Sequence, residues 1–409
     1  MKKGWQTKRI DEVCQFTSGL WNGEKPPFLT VGVIRNTNFT KDGSIDYSNI
    51  AFIEVEAKKF EKRRLQFGDI ILEKSGGGPK QPVGRVSLFE KIEGDFSFSN
   101  FTAALRVKDA DELHFRYLHK YLYWIYQSGV TEAMQSHSTG IRNLDGDAYK
   151  AIEIPLPPLP EQQRIVGLLD EAFGGLATAQ AHAAQNLQNA RDLFESHLNA
   201  VFTQRGEGWR QTTLGEEIDL LAGFAFKSSQ YTTNETDIRL LRGDNIIQGC
   251  LRWDDVKRWP ANDTTEYERY WLSEGDVVLA MDRPWVKAGM KYAMMTRDDL
   301  PCLLLQRTAR LRGGENLDNR FLKLIIGSAA FTSHILGVQT GIGVPHISGQ
   351  QIKDFLFWLP SLNEQQRIAD NLDALSAETQ RLTRIYEQKL AALAALKKSL
   401  LHQAFSGEL

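Results

Sequence analysis

The residues of this 409-residue chain best suited to chemistry sit in two short stretches, each following a similar apolar run. After "GDIIL" comes "EKSGGGPKQPVGR", holding Lys74, Lys80 and Arg85; after "GDVVL" comes "AMDRPWVKAGMK", holding Arg283, Lys287 and Lys291. Cations set among Gly and Pro suit contact with an anionic polymer. Gly lets backbone approach a ligand closely, and Arg or Lys can reach a phosphate or the O6/N7 edge of guanine. Arg35 and Asn36 in "VIRNTN", with Arg242 and Asn245 in "LRGDNI", add residues of the same kind, because Asn can bond adenine bidentately. Arg142, Asn143 and His346 lie in the loops before the last strand of each half, and Trp285 stands beside Arg283 and Pro284. All are expected DNA contacts, whereas Trp5, Trp209, Trp253, Trp259 and Trp271 are expected to pack in cores.

An enzyme that modifies or cuts DNA by itself would need more than cations. An amino-methyltransferase needs Asn- or Asp-Pro-Pro-Tyr/Phe, and the near match "KPPF" at Lys25 to Phe28 puts a cation where the polar residue should be. "SGGGPK" lacks the spacing to Gly-Lys-Ser/Thr that makes a phosphate loop. Asp69, Glu73 and Lys74 suggest a nuclease metal cluster, but adjacent strand residues point to opposite faces, and the second half has Ala280-Met281 there. Cys14, Cys250 and Cys302 are far apart with no CxxC pair, and no HExxH occurs. No catalytic residue, cofactor-binding residue or metal ligand is therefore expected.

Composition is that of an ordinary globular protein, 42% hydrophobic and 24% charged. The net charge of -2 excludes a bulk polycation, so nucleic-acid binding must come from local basic surface. The N-terminus "MKKGWQTKRI" has no apolar core, and no window approaches the roughly 18 apolar residues of a membrane span. A soluble, cytoplasmic protein without a membrane partner is expected.

The elements that position the cationic stretches are themselves duplicated. "LPPLPEQQRI" at Leu156 to Ile165 returns as "LPSLNEQQRI" at Leu359 to Ile368, and Glu161 and Glu364 are 364 − 161 = 203 residues apart. Trp5 matches Trp209, Gly68-Asp69 matches Gly275-Asp276, "STGIRNL" matches "QTGIGVPHI", and "LNAVFT" matches "LHQAFS", all in the same order. A period near 200 residues is far too long for a solenoid unit. Each half opens with about 150 residues of mixed α/β character. "DIIL" and "VVLA" read as strands, and "HFRYLHKYLYWIYQSG" and "NRFLKLIIGSAAFTSHIL" as one packed helix per half.

Each half then changes character. Ile165, Leu169, Leu176 and Leu187 mark one heptad stripe, and Ile368, Leu372, Leu375, Leu382, Leu393, Leu396 and Leu400 mark the other. Helices of roughly 40 residues, about 60 Å long, need each other to cover such stripes. Pro155, Pro157, Pro158 and Pro160 hold the approach extended, and Asn363 with Gln366 suggests a capping box at the second helix. Glu161 and Glu364 suit the first turn of a helix better than a catalytic role. If the helices pair antiparallel, the duplicated lobes acquire a pseudo-two-fold axis that matches duplex DNA, each lobe reading a half-site. The fold class expected is α+β, with two mixed α/β domains and an antiparallel coiled coil.

Together the proline-led "EQQRI" helix starts, the "TGI" loops before them and the terminal "LLHQAFSGEL" closely resemble the specificity subunit of type I restriction-modification systems. The resemblance covers the whole chain. It implies a non-catalytic subunit in which target recognition domains at 1–155 and 206–358 read the two parts of a gapped site. Long helices at 156–205 and 359–409 would set the spacer and dock two methyltransferase subunits. It implies double-stranded DNA as ligand and restriction/motor subunits as further partners. S-adenosylmethionine, ATP and Mg2+ belong to those partners, for adenine N6 methylation or restriction. An autonomous DNA-modifying enzyme and a coiled-coil scaffold without a DNA role are the alternatives.

Overall fold

The structure is a computed structural model and describes residues 5–20, 23–78, 81–138, 141–204, 206–262, 264–341 and 343–409. The chain divides into two units, Met1–Ala184 with Gln388–Leu409, and Gln185–Glu387.

In the first unit, strand Gln6–Arg9 pairs antiparallel with Glu153–Leu156, the strand leading into the proline-rich segment. A four-stranded sheet has the order Cys14–Ser18, Thr102–Val107, Ile70–Glu73, Val86–Leu88, and a three-stranded sheet the order Ala51–Glu56, Phe28–Ile34, Phe96–Phe98. The unbroken apolar run in "GDIIL" follows from this position. Successive side chains leave a strand on opposite faces, and Ile70 and Leu72 enter one core while Ile71 enters another. Helix α1 (Phe115–Gln127) buries Tyr117, Leu118, Leu122 and Ile125 against the first of these cores. Its tyrosine hydroxyls also tie it to the last strand, Tyr117 donating to the Pro155 carbonyl at 3.0 Å and Tyr121 to that of Glu153 at 2.6 Å. The long helix α2 (Leu159–Thr203) begins three residues after that strand ends.

The second unit repeats the plan. Arg210–Thr213 pairs with Leu356–Leu359, and the strand Val277–Ala280 again divides its side chains between cores, Val277 and Leu279 to one, Val278 and Ala280 to another. One expectation fails here. The segment read as a single helix is two, α3 (Asn319–Gly327) and α4 (Ala329–Val338), bent by 62°. Ser328 takes an extended conformation between them, donates its hydroxyl to the Ile325 carbonyl and accepts the Phe331 N–H, so it closes one helix and caps the next. Among the described residues no single helix is long and apolar enough to cross a membrane.

Helix α5 (Leu362–Ser406), like α2, is 45 residues long, about 67 Å at 1.5 Å per residue. In the first unit the start of α2 packs on the end of α5, with Ile165, Val166 and Leu169 in one core with Leu401, Ala404 and Phe405. In the second unit the end of α2 packs on the start of α5, where Phe194 and Leu198 join Ile368, Ala369, Leu372 and Leu375. The helices run antiparallel in both. Of the stripe residues, Ile165, Leu169, Leu176 and Leu372 are buried and Leu187, Ile368, Leu375, Leu382, Leu393 and Leu400 half-buried. Leu396 is off the stripe, 47% exposed. Lys397 takes the covered position beside it, its ammonium lying over the Tyr123 and Phe173 rings while its stem covers apolar surface.

The helix starts differ from expectation by a residue or two. Helix α5 begins at Leu362 and Ser361 accepts the Glu364 N–H at 3.4 Å, so Asn363 lies inside the first turn rather than capping it. Pro160 likewise lies inside the first turn of α2, where a missing N–H leaves nothing unpaired. The invariant chemistry of "EQQRI" resides in its first glutamine. Gln162 is fully buried; its oxygen accepts the His114 N–H at 2.8 Å, and its amide donates to the carbonyls of Glu112 at 2.8 Å and Pro157 at 2.9 Å. Gln365 repeats this with Asp318 N–H at 2.9 Å and the carbonyls of Asn316 and Pro360, each at 2.9 Å. Each glutamine thus clamps the start of α1 or α3 to the start of its long helix. Glu161 pairs with Arg164 within the first turn of α2, as a helix-start glutamate should.

Candidate nucleic-acid interface

Both cationic stretches leave an interior strand of a sheet at a point where three chain segments meet. In the first unit the Lys74 N–H donates to the Phe101 carbonyl at 3.0 Å, and the Leu144 N–H donates to the Lys74 carbonyl at 2.8 Å. In the second the Met281 N–H donates to the Arg307 carbonyl at 2.8 Å, and the Ile347 N–H to the Met281 carbonyl at 2.9 Å. The backbone scaffold is the same. Its base is set by the Gly-Asp turn. Gly68 and Gly275 adopt φ of 91° and 85°, which favours glycine. The following carboxylates are buried, Asp69 accepting the Gln66 N–H at 2.8 Å and pairing with Arg106, Asp276 accepting the Ser273 N–H at 2.8 Å and pairing with Arg312. Hydrogen bonds and attraction from the two carboxylates hold both guanidinium pKa values above the ordinary arginine value.

In the first unit the expected contacts are largely committed to one another. Arg85 makes a bidentate pair with the buried Glu73 at 2.7 and 3.0 Å and donates to the Asn36 carbonyl at 3.0 Å. Asn36 donates its own amide to Glu73 at 3.1 Å. Arg35 is half-buried and donates to the Asn49 carbonyl at 3.3 Å. Arg142 reaches Gln135 at 3.4 Å, and Asn143 accepts the Ser75 hydroxyl at 2.6 Å on the three-stranded sheet Gln135–Ser138, Ile141–Leu144, Ser75–Gly77. The ammonium of Lys74 is half-buried, and that burial pulls its pKa below the ordinary lysine value. Lys80 lies outside the described residues. Glu73 and Asp69, which suggested a metal cluster, are each neutralised by an arginine. Among the described residues no group of three or more His, Cys, Asp or Glu is placed to hold a metal.

The second unit is more open. Arg242, Asp282, Arg283, Lys291, Gln306 and Arg307 line a shallow cleft of about 400 Å³. Arg283 is exposed at φ 46°, and Trp285 and Lys287 are exposed on and beside the hairpin Trp285–Val286/Gly289–Met290. Burial pulls the Lys291 pKa down, with Asp244 opposing it. Arg242 pairs with Asp244 at 3.2 Å and Asp255 at 3.1 Å. His346 meets Asp282 at 2.5 Å, and Arg307 meets the other oxygen of that carboxylate at 2.9 Å.

Asn245 is a correction. It is 3% exposed, accepts the Arg242 N–H at 3.1 Å and donates to the Arg252 carbonyl at 3.0 Å, so its amide closes a loop and has nothing left for a base. Its counterpart is Asn38, which accepts the Arg35 N–H at 2.9 Å and donates to the Asn49 carbonyl at 3.0 Å. The spacing held the clue, since 38 − 35 and 245 − 242 are both 3. Phe101 and Arg307 escaped sequence reasoning, because Phe101 lies in a stretch without nearby cations and Arg307 opens "RTARLRGG", a basic run that does not follow a Gly-Asp turn. Of the tryptophans expected in cores, Trp259 is fully buried, and Trp5, Trp253 and Trp271 pack partly buried against core clusters.

Duplicated α/β units, each ending in a long helix and each presenting polar side chains on the same scaffold, define a class that known proteins share. The family described as type I restriction modification DNA specificity domain matches residues 2–182 and 206–391, and the chain belongs to it. The type I restriction enzyme EcoAI specificity subunit of Escherichia coli is 41% identical over 170 residues, a match covering 41% of this chain and 28% of that protein. The EcoKI specificity subunit of Escherichia coli K12 is 23% identical, covering 100% of this chain and 90% of the relative. Among solved structures, the HsdS subunit from Thermoanaerobacter tengcongensis shares the fold with a TM-score of 0.65 at 21% identity, covering 100% of this chain and 98% of that one. A chain from a structure of type I R-M complex assembly and conformational transition gives 0.77 at 21% identity, covering 100% and 99%.

Proposed function

We propose that this chain is the non-catalytic DNA-specificity subunit of a type I restriction-modification complex, and that each unit reads one part of a two-part site in double-stranded DNA. The observation that carries this reading is the contrast at the two strand ends: identical backbone hydrogen bonding around Lys74 and Met281, with different side chains displayed on it. A scaffold kept constant under varied polar chemistry suits a reader whose two halves recognise different bases. The paired long helices support docking of two methyltransferase subunits, with restriction/motor subunits joining them. S-adenosylmethionine, ATP and Mg2+ would act in those partners, in the cytoplasm where the DNA lies. The recognition domains would span 1–155 and 206–358, and the helices 156–205 and 359–409.

Sequencing of modified adenines in cells carrying this subunit and its methyltransferase tests the proposal. A two-part gapped motif is expected, and exchanging residues 1–155 for another recognition domain should change one part alone. Change in both parts would refute independent reading, and modification without any gapped motif would refute the assignment itself.

A further inference from the structure

The equivalence of the two strand ends extends from backbone to side chains. The residue after Lys74 is Ser75, and the residue after Met281 is Asp282. Across the adjoining strand Ser75 meets Asn143 and Asp282 meets His346, while the carbonyl bonded to each preceding N–H belongs to Phe101 or Arg307. Three positions therefore coincide: Ser75, Asn143 and Phe101 in one unit, Asp282, His346 and Arg307 in the other.

We propose that these three positions are the base-reading face of each unit; the inference rests on the DNA-reading function above. Phe101 is 45% exposed and the side chains of Arg307 and His346 are 68% and 45% exposed, with Ser75, Asn143 and Asp282 half-buried beside them. The Arg307 backbone sits at φ 66°, a conformation L side chains rarely adopt, yet the position holds an arginine rather than glycine. One carboxylate, Asp282, holds both the guanidinium of Arg307 and the ring of His346. Asp282 is thus a positioning residue that fixes the direction of a donor fork, and a fixed guanidinium fork matches the O6/N7 edge of guanine. The first unit offers no charge at these positions. An aromatic face beside the Ser75–Asn143 pair suits apolar contact with a thymine methyl, with the remaining amide atoms facing a polar base edge. The two half-sites should accordingly differ in base composition where these faces meet them.

The test uses the full complex with its methyltransferase partners and duplexes carrying its own motif, each base pair varied singly. Arg307→Gly relieves the left-handed backbone while removing the fork; Arg307→Lys keeps the charge without the fork. Both should lose discrimination at the same base pair of one part, by roughly 5- to 150-fold, with the other part read as before. Asp282→Asn should relax the same base pair, and Phe101→Ala a base pair in the other part only. Retained discrimination in Arg307→Lys, with uniform weakening in Arg307→Gly, would show a phosphate contact and overturn the proposal. Unchanged discrimination in all four variants would overturn it too. If the unsubstituted complex recognises no gapped motif, the function on which this rests fails instead, which separates the two.

Discussion

The side-chain oxygen of Gln162 accepts the backbone N–H of His114 at 2.8 Å, across 48 residues of sequence. A buried amide that satisfies three backbone groups at once holds a helix start where no covalent link could. Replacing it leaves those groups without the partner that the fully buried amide supplied, and each unpaired buried group costs about 1–3 kcal/mol. Gln162→Ala and Gln365→Ala should each destabilise the chain by about 2–3 kcal/mol, measured as a lowered urea midpoint. Gln162→Glu should be equally harmful at neutral pH, because its carboxylate would face the carbonyls of Glu112 and Pro157.

His119 supplies a pH-dependent term. Burial, with Lys120 adding to it, pushes its imidazole down to about 4 against the opposing influences of the Gly43 backbone, Asp42 and Asp170. An unfolded histidine titrates near 6.5. The folded-state pKa is therefore the lower, the unfolded chain binds the extra proton between about 6.5 and 4, and stability present above 6.5 is lost as pH falls through that window. The loss approaches about 3 kcal/mol. In His119→Gln this part of the decline between pH 6.5 and 4.5 should be missing when urea midpoints are compared with the parent.

Phe405, at the end of α5, packs on Tyr117, Tyr121 and Trp124 of α1 with ring centres 5.4, 5.2 and 5.6 Å away. Truncating it to alanine removes a buried aromatic from the first unit's core, at about 3–5 kcal/mol. Hydrogen exchange should accelerate in 115–127 while 319–327 keeps its protection.

Leu382 and Leu393 are half-buried on α5. Substituting both by glutamate sets charges along the stripe that the helices share, where they must be desolvated or push the helices apart. Co-purification with the methyltransferase should be lost; retention would show that the stripe does not organise the complex.

The duplication, the long helices and the strands at Ile70 and Val277 were legible in the sequence because each rests on a repeated pattern: a period near 200, a step near 3.5, an apolar run after Gly-Asp. Residues whose roles depend on distant partners were not. Asn245 reads as a base contact until its loop closes around it, and Gln162 reads as one polar residue of a helix start until Glu112 and His114 arrive beside it. Ser328 breaks a helix that its periodicity alone would continue, because its hydroxyl serves both helix ends. Arg307 stood outside the two cationic stretches that follow Gly-Asp, and only the meeting of three chain segments shows its place.

Phe405 follows Tyr121 by 405 − 121 = 284 residues. At roughly 5–20 residues per second of synthesis, α1 waits about 15–60 s for the ring that completes its core. The second unit waits less, since Phe202, which meets Phe321 at 5.8 Å, is made before it and Leu372 of α5 follows Phe321 by only 372 − 321 = 51 residues. During translation the later-made unit can complete its core with the start of α5, whereas the earlier-made one lacks part of its core until the end of α5 is made.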